Sequence, residues 1–191
     1  MRCFIAMELP QAVRNRLRVL IERMKPLCSS VKWVGAENLH LTLKFLGEVR
    51  DESLPEVEKA VTEATASHPA IQLQALGLGV FPNPNWPKVV WAGLVEPEGG
   101  NKLQALQKGM EEALEPLGFN PEKRKFTPHL TIGRINARRG KPLPLERLMR
   151  EVQARKMEDF GSFKAREIVL FKSDLKPSGA VHTVLSKNPL S

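Results

Sequence analysis

His129-Leu130-Thr131-Ile132 repeats the pattern of an earlier stretch, His40-Leu41-Thr42-Leu43. Each stretch lies in an apolar run typical of a β-strand, over residues 39–46 for the first and 130–135 for the second. Because side chains alternate between the two faces of a strand, the His and Thr of each stretch are expected on one face and the two apolar residues on the other. The sequence therefore predicts two half-buried strands that each present a His–Thr pair to a cleft.

Helical and strand-like patterns alternate irregularly along the rest of the chain. Helices with apolar residues three and four positions apart are predicted at about 10–25, 53–67, 101–117 and 145–154. Further strands are predicted at about 2–7, 31–34, 70–81, 89–95, 158–171 and 180–185, with a bend at Gly161 and a loose tail from Lys187. Strands followed directly by strands, with helices between some of them, indicate an α+β fold with mainly antiparallel pairing.

The composition indicates one ordinary globular domain with a basic surface. The chain has 191 residues, of which 42% are hydrophobic and 26% charged, so a sizeable core is expected. The formal net charge is 29 − 21 = +8, which favours a polyanionic partner such as nucleic acid.

Cysteine usage and apolar runs suggest where the protein works. Two cysteines, Cys3 and Cys28, are too few for a disulfide framework or a zinc site, which favours a reduced cytoplasmic setting. We see no signal peptide and no run that approaches the ~20 apolar residues of a membrane span, so no membrane partner is expected.

The two His–Thr pairs suit the opening of a phosphodiester without a metal. Such a reaction needs one group to take a proton from the attacking oxygen and another to give a proton to the leaving oxygen, and histidine can do both near neutral pH. His40 and His129 on opposing strands could flank one phosphate. The hydroxyls of Thr42 and Thr131 could then donate to its non-bridging oxygens, where charge builds up in the transition state.

Other classes of site fit the sequence less well. Neither motif carries a second histidine or a carboxylate at ligand spacing, and two histidines leave a zinc ion short of ligands. No nucleophile elbow, Walker A loop or dinucleotide fingerprint is present. We therefore expect no metal and no cofactor.

Basic residues near the motifs strengthen the phosphate interpretation. Between Glu122 and Lys141 they are Lys123, Arg124, Lys125, Arg134, Arg138, Arg139 and Lys141. Strict alternation would turn Arg134 away from His129, so a role at the phosphate requires a twist or bulge after Gly133. Lys44 is expected on the face of His40 and could also contact the substrate. For both cations, a solvated position at a strand end is the alternative.

Aromatic residues offer further contacts to a substrate. His182 lies between Val181 and Thr183 in the last predicted strand and could line the cleft. Phe4, Phe45 and Phe81 could stack on a base, with core packing as the alternative for each.

Beyond the motifs, matching stretches connect the chain to a known family. They are Arg2-Cys3-Phe4-Ile5-Ala6, Trp33-Val34, Leu39 to Gly47, Val90 to Leu94, Phe126 to Arg134, and Ile168 to Ser173 with Pro177-Ser178-Gly179. On these residues the chain resembles the two-histidine (2H) phosphoesterase superfamily, marked by two His-x-Thr-x motifs. More narrowly, it resembles the LigT-like RNA 2′,3′-cyclic phosphodiesterases, also called 2′-5′ RNA ligases.

The resemblance implies a bilobal α+β fold in which residues 1–191 form a single domain. Two pseudo-symmetric, mainly antiparallel sheets would each carry one motif strand, with helices packed outside and a positively charged cleft between the interleaved lobes. The resemblance implies a tyrosine at the position of His182 in many relatives, and this chain departs from that pattern.

The resemblance also implies an activity and its residues. The expected reaction is metal-free hydrolysis of an RNA 2′,3′-cyclic phosphate end to a 2′-phosphomonoester, with ATP-independent 2′-5′ ligation as its reverse. His40 would be the proton donor and His129 the proton acceptor, while Thr42, Thr131 and Arg134 would bind the phosphate. The expected partners are tRNA-like fragments or short oligonucleotides, and a monomer is expected.

Two alternative functions stay open at this point. One is a small-molecule cyclic nucleotide phosphodiesterase, and the other is a non-catalytic RNA-binding module. A steep loss of affinity with salt would favour RNA over a small molecule.

Overall fold

The computed structural model describes residues 1–136, 145–177 and 179–191, in which four helices and nine strands alternate. The helices are α1 (Gln11–Met24), α2 (Leu54–Ala66), α3 (Lys102–Leu114) and α4 (Glu146–Ala154). The strands are β1 (Arg2–Glu8), β2 (Val31–Trp33), β3 (His40–Glu48), β4 (Ile71–Phe81), β5 (Val89–Val95), β6 (His129–Ile135), β7 (Asp159–Ala165), β8 (Glu167–Lys176) and β9 (Gly179–Pro189). Among these described elements, no helix is long and apolar enough to cross a membrane.

The strands form one antiparallel sheet in the order β7-β4-β5-β6-β3-β1-β8-β9, with β2 paired to β6. The predicted α+β class with antiparallel pairing is confirmed. The two expected sheets are halves of this one sheet. They are joined where β3 meets β6, at the registered pair Leu41↔Leu130. We call this junction the seam.

The chain contributes to the two halves in alternation. One half contains β2, β4, β5, β6 and β7, and the other contains β1, β3, β8 and β9. Helix α1 packs on β7 and α4 on β4, whereas α2 and α3 pack on each other and on β9 and β3. The chain therefore passes repeatedly from one half of the sheet to the other.

Apolar periodicity explains why the helices form and where they pack. In α1 the buried residues are Val13, Leu17, Leu20, Ile21 and Met24, which fall three or four positions apart on one face. The same core cluster contains Leu41 and Leu130, both almost fully buried. Burial of one such side chain contributes about 1.5–3 kcal/mol, so the apolar faces of the motif strands hold the seam together.

The structure differs from the sequence prediction near the C-terminus. The expected bend at Gly161 is wrong: the chain leaves one strand and enters the next at Arg166, while Gly161 lies inside β7 at a bulge opposite β4. Its φ of +114° is one that other residues rarely adopt. The expected loose tail is also wrong, because Asn188 pairs with β8 and Ser191 N donates to the His68 carbonyl at 2.8 Å.

Candidate active site

The seam brings the two His–Thr pairs together in opposite directions. Because β3 and β6 are antiparallel and Leu41 is registered with Leu130, the next residues along each strand also face one another. His40 lies across from Thr131, and Thr42 lies across from His129. All four side chains are half-buried and point to the face opposite the two leucines. Each histidine therefore has the hydroxyl of the other motif beside it.

A bulge in β6 decides where Arg134 points. Thr131 is registered with Trp91 of β5 and Gly133 with Val90, so Ile132 is an extra residue between them. The extra residue shifts the alternation by one, and exposed Arg134 comes to the face of Thr131. The sequence analysis required a twist or bulge after Gly133, whereas the structure has the bulge one residue before it, at Ile132.

A bulge in β3 has the opposite effect on Lys44. Thr42 is registered with Ala6 of β1 and Lys44 with Ile5, so Leu43 is the extra residue. Lys44 consequently turns to the face of Ile5, and it is only 5% exposed. The expectation that Lys44 shares a face with His40 and contacts the substrate is wrong, because the alternation on which it rested is broken at Leu43.

Lys44 instead forms a buried ion pair with Glu111 of α3. Its ammonium also donates to the carbonyl of Asn120 at 3.0 Å, in the segment that leads to His129. Glu111 accepts a further hydrogen bond from Gln107 at 2.9 Å. The lysine of the first motif strand thus supports the chain that enters the second.

His129 is oriented by its own backbone and by an aromatic ring. Its Nδ1 lies 2.7 Å from the carbonyl oxygen of Thr127. A carbonyl can only accept, so Nδ1 carries the proton and Nε2 is left with a free lone pair. The ring of Phe81 meets the imidazole edge-on, with centroids 4.9 Å apart. This tautomer suits a proton acceptor.

His40 lies in a more enclosed aromatic setting. Its ring stacks on Phe4 with centroids 4.8 Å apart and meets His182 edge-on at 5.4 Å. The pKa of His40 lies at about 4, below its ordinary 6.5, mainly because the ring is buried; the charges of His182 and Arg134 also lower the pKa, whereas a hydrogen bond with the Asn38 backbone raises it. In the free protein His40 is therefore neutral at pH 7.

The remaining aromatic candidates divide into buried and accessible ones. Phe4 is 3% exposed and stacks on Phe171 as well as on His40. The expected substrate contact by Phe4 is wrong, because Phe4 lies in the wall behind the histidine. His182 lies at the site beside His40, and burial lowers its pKa. Its Nδ1 is buried without a hydrogen-bond partner among the described residues.

Sequence reasoning missed two residues on the face of the site. Trp91 lies across from Thr131, and its ring covers Gly79, where a Cβ would approach within 2.1 Å. The glycine within the apolar β4 run was the available signal for such a ring. Lys32 of β2 is registered with Arg134. It carried no signal of its own, because only the bulge in β6 brings this pair to the site.

The other basic residues named from sequence lie either on an exposed loop or outside the described residues. Arg138, Arg139 and Lys141 lie outside the described residues, while Lys123, Arg124 and Lys125 are exposed on the loop before β6. Within residues 1–136, 145–177 and 179–191, no group of three or more His, Cys, Asp or Glu side chains could hold a metal ion.

Comparison with known proteins gives a family match over most of the chain. The family model described as LigT like Phosphoesterase matches residues 7–91 and 94–182. An RNA 2′,3′-cyclic phosphodiesterase of Methanocaldococcus jannaschii is 35% identical over 187 residues, covering 98% of this chain and 99% of the relative. One of Methanothermobacter thermautotrophicus is 34% identical over 182 residues, covering 95% of each chain.

Solved structures show the same fold. A crystal structure of a Thermus thermophilus protein is 30% identical and superposes with a TM-score of 0.77, covering 100% of this chain and 98% of the other. E. coli LigT complexed with 3′-AMP superposes with a TM-score of 0.76 over 100% of this chain and 98% of its own, and at 24% identity it supports the fold alone.

Proposed function

The chain belongs to the LigT-like phosphoesterase family, and from this membership we propose that it hydrolyses RNA 2′,3′-cyclic phosphate ends to 2′-phosphomonoesters. The relatives at 34% and 35% identity carry that activity in their names. The product is a 2′-phosphate because the bond from phosphorus to the 3′ oxygen is the one that breaks. Attack of an RNA 5′-hydroxyl instead of water on the same phosphorus, with the same 3′ oxygen leaving, would give ATP-independent 2′-5′ ligation.

The observation that carries this proposal is the antiparallel pairing of the two motifs at the seam. It places a histidine at each end of a polar patch and a threonine hydroxyl beside each histidine. An in-line displacement at phosphorus needs this arrangement: a base at the attacking oxygen, an acid at the leaving oxygen, and donors between them.

The reaction assigns one task to each group. His129 Nε2 takes a proton from water as the oxygen attacks phosphorus. His40 gives a proton to the departing 3′ oxygen of the ribose. The hydroxyls of Thr42 and Thr131 donate to the non-bridging oxygens, and the guanidinium of Arg134 balances their charge.

His40 has to gain a proton before it can act as the donor. The charge of the bound substrate favours this protonation. In the free protein the pKa of His40 is about 4, mainly because the ring is buried, and the nearby charges of His182 and Arg134 also lower it. A bound cyclic phosphate brings a negative charge that offsets these charges and favours the imidazolium. We therefore propose that binding of the phosphate charges the acid.

The wider expectations enter as parts of the same proposal. Residues 1–191 act as one domain, working as a monomer on RNA ends such as tRNA-like fragments or short oligonucleotides. The interleaved halves of the sheet support the single domain. The two buried free thiols, Cys3 and Cys28, support a reducing, cytoplasmic setting.

The deciding experiment uses a short RNA that ends in a 2′,3′-cyclic phosphate, with EDTA present. Wild type should convert it to a 2′-phosphate. His40→Ala and His129→Ala should each lower kcat by about 10²–10⁴-fold, since each removes one proton-transfer group. His68→Ala is the matched control, because His68 lies at the end of α2 and its ring contacts the Ala64 carbonyl.

Other outcomes would select other functions. RNA binding without turnover by wild type would reject the enzyme and favour the RNA-binding module. Turnover of nucleoside cyclic phosphates with no gain from added nucleotides would favour the small-molecule phosphodiesterase. Loss of all activity in EDTA, restored by a divalent cation, would reject the metal-free mechanism.

A further inference from the structure

Lys32 and Arg134 form a pair of like charges at the edge of the active site. They are registered opposite one another on β2 and β6. Registered side chains of an antiparallel pair project to the same face, with Cβ atoms about 4.5–5.5 Å apart. Since the bulge at Ile132 turns Arg134 to the face of Thr131, Lys32 also lies on that face. Both side chains are exposed.

Such a pair is unfavourable unless negative charge lies nearby. Among the described residues, neither Lys32 nor Arg134 forms an ion pair with a carboxylate. Glu37, the acidic residue nearest to Lys32 in sequence, contacts the Asn38 amide instead. By contrast, the strand lysine Lys187 lies 2.9 Å from the carboxylate of Glu167. The Lys32–Arg134 pair is thus open to an anion from solution.

The position of the pair along the seam indicates which anion it binds. Strands β2 and β3 follow one another along the same edge of β6, both antiparallel to it. Along that edge Thr42 and His129 come first, then His40 and Thr131, and finally Lys32 with Arg134. The cationic pair therefore lies beyond the histidine that protonates the leaving 3′ oxygen.

The leaving oxygen belongs to the ribose, so the ribose and the RNA upstream of it lie on the His40 side. We propose that Lys32, together with Arg134, binds the phosphodiester one nucleotide upstream of the cyclic phosphate. This inference rests on the proposed function and narrows its substrate class to oligonucleotides. Arg134 would face both phosphates, whereas Lys32 would contact only the upstream one.

Two substrates separate this role from a role in catalysis. Uridine 2′,3′-cyclic phosphate lacks the upstream phosphodiester, and the dinucleotide uridylyl-(3′→5′)-uridine 2′,3′-cyclic phosphate has it. Wild type should prefer the dinucleotide in kcat/KM. Lys32→Gln should lower kcat/KM for the dinucleotide about tenfold, as expected for loss of one charged contact. It should leave kcat/KM for the mononucleotide within about twofold.

Salt dependence and two further variants complete the test. Lys32→Gln should make the dependence of log kcat/KM on log salt shallower by about 0.7 for the dinucleotide, as for one lost phosphate contact on a single strand. Lys32→Arg should keep the preference. Lys164→Gln is the control, since it removes the same charge from exposed Lys164 on the outer strand β7.

Equal losses on both substrates, or no loss on either, would overturn the inference. If wild type turned over neither substrate, the proposed function would fail and binding would decide the subsite. In that case Lys32→Gln should weaken binding of the dinucleotide that ends in a 2′-phosphate and leave binding of uridine 2′-phosphate unchanged. Equal affinities of wild type and Lys32→Gln for that dinucleotide would reject the proposed subsite for the upstream phosphate.

Discussion

The pKa of His40 measures how strongly the free protein disfavours the charged imidazolium. Its pKa lies at about 4 in the free protein against an ordinary 6.5. At about 1.4 kcal/mol per pH unit, the difference corresponds to about 3 kcal/mol against the imidazolium. At pH 7 roughly one molecule in a thousand would carry the charge, although the proposed mechanism requires it in the bound state.

Binding of the product analogue uridine 2′-phosphate should change the pKa of His40. We expect the free protein to show a His40 titration midpoint near pH 4 and the complex to show a higher one, because the phosphate opposes the field of Arg134. Titration of the imidazole Cε1–H signals by NMR measures both midpoints. His40→Ala identifies the signal among the four histidines of the chain.

A second variant tests the causes that lie behind the shift. His182→Phe keeps a ring at the edge of Phe4 and removes the charge that disfavours His40 protonation. The His40 midpoint should rise but stay below 6.5, since burial is the larger cause and remains. A midpoint near 6.5 in free wild type, or no upward movement with uridine 2′-phosphate, would refute the reasoning.

The same shift predicts how stability depends on pH. The unfolded chain takes up the His40 proton at higher pH than the folded chain, so stability falls as pH decreases from about 6.5 to about 4. Urea unfolding should show about 2–3 kcal/mol of this loss between pH 7.5 and 4.5. His40→Gln should lack that part of the loss, and an identical pH dependence in wild type and variant would contradict the assignment.

Two further predictions concern the framework of the site. Lys44→Met should lower the free energy of unfolding by about 3–5 kcal/mol in urea titrations, because it leaves the Glu111 charge buried and unpaired. The double variant with Glu111→Met should recover most of the lost stability. A Lys44→Met protein as stable as wild type would count against a stabilising role for the ion pair. Leu130→Ala, at a fully buried position of the seam, should cost about 2–5 kcal/mol in the same assay, whereas the control Leu175→Ala on the exposed end of β8 should change stability by less than about 0.5 kcal/mol.

The parts of the site that could be predicted from sequence depend on local pattern. The alternation placed His40, Thr42, His129 and Thr131 on one face correctly, because no extra residue falls between the His and the Thr of either motif. The helices followed in the same way from apolar spacing. The proposed roles of the four side chains stay predictions until activity is measured.

The parts that could not be predicted depend on one inserted residue. Strict alternation placed Lys44 on the site and Arg134 away from it, and the structure has both the other way round. In each strand one bulge, at Leu43 or Ile132, reverses the faces beyond it. Bulges arise from pairing with a neighbouring strand, so the sequence of one strand contains too little information to locate them.

The interleaving of the chain between the two halves of the sheet has a consequence for folding. Among the described strands, the two halves share one registered pair, yet each half is assembled from segments that are distant in sequence. Each half is encoded by several separate stretches of the gene, so neither half can be produced or removed as one continuous segment. We therefore expect the protein to unfold as one cooperative unit, and to fold slowly for its size because its contacts are so largely non-local.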